Sequence, residues 1–138
     1  MKIQAYISFN GRCEEALEFY KTSLGAEVTG LVRWKDQPDQ GMETPPGYAE
    51  KIMNAEFRIG DTDLMADDGM GEKILEFKGM TLAIEVVDDA EARRVFTALG
   101  DGGTVTMPLA KTFWTSLFGM LTDRFSVPWM VNVAAPKA

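Results

Sequence analysis

The chain has no histidine, a single cysteine and more acid than base. Its 138 residues hold 14 Lys and Arg against 21 Asp and Glu, a formal net charge of −7. Each shortage closes a class of function. Without imidazole, acid–base chemistry would need a carboxylate of raised pKa, and Glu56 and Glu85 are the weak catalytic candidates. Cys13 cannot form an internal disulfide, which fits a reducing compartment. A chain poor in clustered Lys and Arg is not made to hold phosphate backbones or anionic lipid, so no nucleic-acid or membrane partner is expected. No run approaches the roughly 20 apolar residues of a membrane span. Met1-Lys2-Ile3-Gln4-Ala5 also lacks the apolar stretch of a signal peptide, and the expected location is cytoplasmic.

What is present is said twice. With 46% hydrophobic residues the chain can bury one core, and the expectation is a single domain over 1–138 built of two similar modules, about 1–70 and 79–138. Tyr6 to Phe9 leads into Glu14-Glu15-Ala16-Leu17-Glu18-Phe19-Tyr20 and closes on Leu24-Gly25. Leu82 to Val87 leads into Asp89-Ala90-Glu91-Ala92 and closes on Leu99-Gly100. A repeat of this length is a whole βαβββ unit.

Periodicity fills in the elements. Ala5, Ile7 and Phe9 alternate with Gln4, Tyr6 and Ser8, one set to cover a helix and the other to face something more polar. Ala16, Leu17, Tyr20 and Leu24 form a helical stripe, with acids in the first turn and Gly25 as a left-handed stop. A strand from Glu27 to Trp34 precedes a long Pro-, Gly- and Asp-rich stretch, Lys35 to Lys51, which reads as a flap or a disordered surface loop. Ile52 to Ile59 and Asp63 to Ala66 form a hairpin, and Gly-rich Asp67 to Lys78 joins the halves. Met80 to Val87 reads as a mostly buried strand. Asp88 or Asp89 caps a second helix with the stripe Ala92, Val95, Phe96 and Leu99. Strands near Thr104 to Leu109, Thr112 to Leu121 and Trp129 to Val133 complete the unit.

The chain resembles the vicinal-oxygen-chelate superfamily of glyoxalase I, extradiol dioxygenases and bleomycin-resistance proteins, and within it the PhnB-like branch. Tyr6-Ile7-Ser8-Phe9-Asn10-Gly11, Glu15 to Tyr20 and Leu24-Gly25 carry the resemblance first, followed by Ala55 to Gly60, Leu64-Met65 and Asp68. Thr112-Phe113-Trp114, Phe118-Gly119, Asp123-Arg124-Phe125 and Val127-Pro128-Trp129 complete it. The resemblance implies an α+β fold in which two βαβββ modules form a U-shaped mixed sheet around a cavity, and two chains commonly paired as a homodimer. Gln4, Tyr6, Ser8, Met130 and Asn132 would then point into the cavity, and Trp129, Val131 and Val133 toward a helix.

Metal-dependent members hold a divalent ion with His and Glu or Gln from four slots. Here those slots fall at or beside Gln4, Met65, Thr81 and Met130, and Asn54 stands where some relatives carry a His. Two thioethers and a hydroxyl bind a hard or borderline ion poorly, so no metal and no cofactor is expected, short of a rearranged site using Glu56, Asp67 or Glu85. Relatives in this branch also carry a demethylubiquinone methyltransferase label, but no stretch here resembles a methyl-donor site.

The remaining residues have competing readings. Glu56 and Arg58 lie two apart on one strand face and can pair. Asp67-Asp68 fits turn support. Cys13 reads as a small core residue, since its acidic neighbours disfavour a thiolate, and Gly69-Met70-Gly71 as a hinge. Trp34 and Trp114, with the nine Met, are pocket candidates against ordinary core, whereas Trp129 reads as core. The expected function is metal-independent binding of a small, partly apolar molecule; the alternative is a glyoxalase-type lyase or isomerase using pocket carboxylates or a recruited divalent metal.

Overall fold

A computed structural model describes residues 1–38, 41–71 and 76–135. Residues 39–40 of the long loop and 72–75 of the Gly-rich joint lie outside that description. The chain divides into two compact units, Met1–Leu75 and Glu76–Ala138.

The first unit runs β1 (Tyr6–Ser8), α1 (Cys13–Leu24), β2 (Glu27–Arg33), a short 3-10 turn (Trp34–Asp36), β3 (Ile52–Ile59) and β4 (Thr62–Asp67). The second runs β5 (Leu82–Val86), α2 (Asp89–Gly100), β6 (Thr104–Ala110), β7 (Phe118–Thr122) and β8 (Pro128–Val133). Each makes a four-stranded mixed sheet of the same order, β1-β4-β3-β2 and β5-β8-β7-β6, with the first pair of each parallel and the rest antiparallel.

The predicted helical stripes are the buried faces except at Leu24, which at the end of α1 is only half-buried. On α1, Ala16, Leu17 and Tyr20 are buried, and the Tyr20 ring stacks on Phe57 of β3 at 6.3 Å. Gly25 takes the left-handed conformation (φ 69°) and its N–H closes on the Lys21 carbonyl, the stop that glycine makes without steric cost. Ala92, Val95, Phe96 and Leu99 are the buried face of α2. Asp88 is its cap: the carboxylate accepts from the Glu91 N–H at 2.8 Å. Gly119 lets α2 approach the sheet, for a Cβ there would stand 2.8 Å from the Phe96 ring.

Helix α1 has no such cap on its own chain segment, since the side chain of Arg12 at the N-cap position accepts no bond from a first-turn N–H. The donor is satisfied from 55 residues away: buried Asp68 accepts from the Cys13 N–H at 2.7 Å and, through its other oxygen, from the Ile52 N–H at 2.7 Å. Asp123 does related work in the second unit. Its buried carboxylate accepts from the Phe125 and Val127 N–H groups and from Trp129 Nε1 at 2.8 Å, fixing the turn between β7 and β8.

Three expectations fail. The segment from Met80 to Val87 is not mostly buried: Met80 and Val87 are exposed and only Val86 is fully covered. The reason is topological, because β5 is an edge strand with one neighbour. The strand expected from Thr112 begins only at Phe118. The Thr112 hydroxyl accepts from the Trp114 and Thr115 N–H groups and bends the chain into a turn. Glu56 and Arg58 do not pair; Arg58 instead reaches Asp63 across the hairpin at 2.8 Å.

Candidate functional site

Strand pairing sorts side chains by face. Ile7, Ala55, Phe57, Leu64 and Ala66 are buried on the α1 side of the first sheet, so their neighbours in sequence form the open face. One row across that face is Tyr6, Met65, Glu56 and Gly30, each opposite the next in register. Beside it Ser8 stands opposite Asp67, and Val32 opposite Asn54.

Asp67 organises this face. Its carboxylate accepts from the Tyr6 hydroxyl at 2.9 Å, the Ser8 hydroxyl at 2.5 Å and the Gly69 N–H at 2.9 Å. Burial first, and then the adjacent Asp67 carboxylate, pushes the Tyr6 phenol well above its ordinary pKa, so it stays protonated and donating. Sequence reading placed Tyr6 and Ser8 here but gave Asp67 only turn support or a rearranged metal site. The link depends on parallel pairing of β1 with β4, which no local pattern reports. Glu56 projects from the same row over Gly30, whose missing side chain leaves it room: a Cβ there would stand 3.6 Å from Glu56 Oε2.

The open face of the second sheet is chemically different. The matching row is Ala83, Met130, Met120 and Met107, and the next is Glu85, Asn132, Phe118 and Ala110. Trp114 donates its indole N–H to Asn132 Oδ1 at 2.9 Å and meets Phe118 edge-on at 5.2 Å. Phe113, 97% exposed, meets Trp114 edge-on in turn at 5.0 Å. Met107, Met120 and Phe118 were not among the expected site residues, although the alternation Phe118, Gly119, Met120, Leu121 carries the signal.

The remaining candidates are dispersed. Gln4 lies partly buried just before β1, and Thr81 is exposed just before β5. The donor set of the four slots is therefore one amide, one hydroxyl and the thioethers of Met65 and Met130. It does not fit a divalent ion of the Zn, Mn or Ni kind, which takes imidazole, carboxylate or thiolate donors. Among the described residues no group of three or more His, Cys, Asp and Glu could hold a metal. Trp129 is buried with its N–H on Asp123. Trp34 is 3% exposed, a core residue whose Nε1 has no partner among the described residues. Cys13 is fully buried, and burial, then Asp68 and Asp67, drives its thiol pKa up, so it is no nucleophile.

The long loop has folded anchors. Its base pairs through Trp34 N–H to the Lys51 carbonyl and Lys35 N–H to the Ala49 carbonyl. Gln37 donates to the Trp34 and Met42 carbonyls and accepts from the Met42 N–H. Between this clamp and the sheet is a cavity of about 350 Å³, lined by Val32, Gln37, Pro38, Met42, Met53 and Asn54. A more polar groove of about 570 Å³ runs past Arg12, Arg33 and Lys51, but its bases are engaged. Arg33 binds Glu14 at 2.6 Å, an ion pair that holds the Glu14 carboxyl below its ordinary pKa. Lys51 donates to the Gly11 carbonyl and Arg12 to Glu15.

A family model described as 3-demethylubiquinone-9 3-methyltransferase matches residues 1–132. Protein YjdN of Escherichia coli K12 is 34% identical over 140 residues, an alignment covering 96% of this chain and 95% of that one. The crystal structure of protein PA1353 from Pseudomonas aeruginosa superposes with a TM-score of 0.85 at 40% identity, covering 96% of this chain and 97% of the other. A PhnB protein from Bacillus cereus, also described as a 3-demethylubiquinone-9 3-methyltransferase, gives 0.81 at 26% identity, with 97% and 100% covered. The fosfomycin resistance protein FosX from Mesorhizobium loti, at 14% identity, TM-score 0.64 and 98% and 92% coverage, shares the fold. That fold is the α+β arrangement of glyoxalase and bleomycin-resistance proteins.

Proposed function

Because the chain belongs to the PhnB-like family, within the vicinal-oxygen-chelate superfamily, we infer that it is a metal-independent binding protein for a small, partly apolar molecule, working in the cytoplasm as a homodimer. The observation that carries this reading is the replacement of coordinating side chains at three of the four slots by Met65, Thr81 and Met130, with Gln4 alone offering a plausible oxygen ligand. Two of the replacements are thioethers, which mould themselves to apolar partners, and Met130 stands in a row with Met120 and Met107. The methyl transfer in the family description is not part of the reading. Neither sheet is the doubly wound parallel kind that seats a nucleotide at a strand-order reversal.

The test is native mass spectrometry of protein purified from cells, with elemental analysis of the same sample. The expected result is a copurified organic mass, no stoichiometric Ni, Zn, Mn or Fe, and a dimer. One tightly held metal per chain would overturn the reading. A second reading, a glyoxalase-type lyase or isomerase, is favoured by the open-face carboxylates Glu56 and Glu85, which have no ion-pair partner among the described residues, with Glu56 in the row of Tyr6 and Met65. Methylglyoxal–glutathione turnover that is lost in Glu56→Gln would establish it instead.

A further inference from the structure

The charge of the ligand is written on the open face of the second unit. Among the residues in its two central rows, Glu85 is the one charged side chain, and there is no Lys or Arg. Glu85 is exposed and stands opposite Asn132, and among the described residues no hydrogen bond joins the two. The Asn132 amide oxygen already accepts from Trp114 Nε1, and its nitrogen donates to the Val133 carbonyl. Among the described residues no ion pair includes Glu85. The carboxylate therefore sits unmatched on a face that is also aromatic: Phe118 follows Asn132 in the same row, with Trp114 and Phe113 edge-on beyond it. The hydrogen bond to Asn132 fixes the Trp114 ring, which is 47% exposed.

Aromatic faces attract cations through their quadrupole, and a nearby carboxylate adds to that pull while repelling anions. The adjoining Met107, Met120 and Met130 offer apolar, polarisable area, which a strongly hydrated inorganic cation does not use and the carbon body of an organic ion does. We propose that this face recognises an organic cation: an aromatic or similarly apolar body laid on the methionine row and Trp114, with its ammonium or amidinium group directed at Glu85. This deepens the binding function proposed above and rests on it, adding the ligand's charge class.

The experiment uses the full chain and three probes sharing one ring system: 2-naphthylmethylammonium, 2-naphthylmethanol and 2-naphthoate. Binding is followed by calorimetry and by the NMR signal of the Trp114 indole N–H. A cation–π contact and one carboxylate together predict that the ammonium binds about tenfold tighter than the alcohol, with the carboxylate weakest. Glu85→Gln is expected to bring the ammonium within about twofold of the alcohol, whose affinity stays put, whereas Glu56→Gln leaves the order intact. Equal binding of ammonium and alcohol would overturn the charge assignment while leaving the binding function standing. So would an ammonium preference that survives Glu85→Gln or disappears in Glu56→Gln. If none of the three probes binds, the binding function and the charge assignment fall together.

Discussion

Two sheets of identical strand order present opposite chemistry. The first offers Tyr6, Ser8 and Asp67 tied together by hydrogen bonds, with Glu56 beside them; the second offers three methionines in a row beside an aromatic group. The buried sides are alike, a helical stripe on alternating apolar positions with one buried Asp as fastener. A repeated unit thus keeps the half of each strand that folds and is free to change the other half, because side chains alternate between faces with a period of two. The face that folds is shared, and the open face is not.

The largest test of that division strikes the shared half. Asp68→Ala would strand the buried Cys13 and Ile52 N–H groups, and Asp123→Ala those of Phe125 and Val127 along with the Trp129 indole. Each is expected to lower unfolding free energy by about 3 kcal/mol in denaturant titration. A loss from one and none from the other would break the equivalence of the fasteners.

Glycines sharpen the contrast at smaller cost. Gly119→Ala drives a methyl into Phe96 and Leu109 on the buried side, a loss of about 2 kcal/mol. Gly30→Ala on the open face of the first sheet meets Glu56 only at ordinary contact and should change stability by about 0.5 kcal/mol or less. Equal costs would mean that the two faces are packed alike.

Asp67→Ala is aimed at the polar face alone. It frees two hydroxyls that can turn to water, for about 1 kcal/mol. Ultraviolet titration should show the Tyr6 phenol ionising at lower pH than in the parent chain, yet still above an ordinary tyrosine, because burial is the first cause of its shift. An unmoved phenol would show that Asp67 is no partner.

The smallest effect is at the rim. Arg58 and then Lys2 hold Asp63 down at about 2 from an ordinary 3.8. A carboxyl whose folded pKa is depressed contributes stability above its unfolded pKa and loses it as pH falls through the folded one. The stability difference between parent and Asp63→Asn is therefore constant above about pH 4 and vanishes toward pH 2, as paired thermal melts would record. Because these groups lie at the surface, a modest gap is expected.

Both helices could be read from the chain because a 3.6-residue stripe is a local signal, kept at Ala16, Leu17 and Tyr20 on α1 and at Ala92, Val95, Phe96 and Leu99 on α2, with Gly25 as the stop of the first. What escaped was decided by pairing. The exposure of β5 follows from its place at a sheet edge, and the choice of Asp63 over Glu56 by Arg58 follows from the hairpin register. Trp34 gave the same composition signal as Trp114, yet one is sealed in the core and the other half exposed with its N–H on Asn132. Asp67 was legible as an acid near glycines, but not as the residue that gathers Tyr6 and Ser8 from another strand.

The remote cap on α1 gives the first unit a common clock. One carboxylate protects two amides from different elements, so an opening that releases Asp68 exposes the helix start and the entry to β3 to solvent together. In native-state hydrogen exchange the Cys13 and Ile52 amides should report one opening event rather than two.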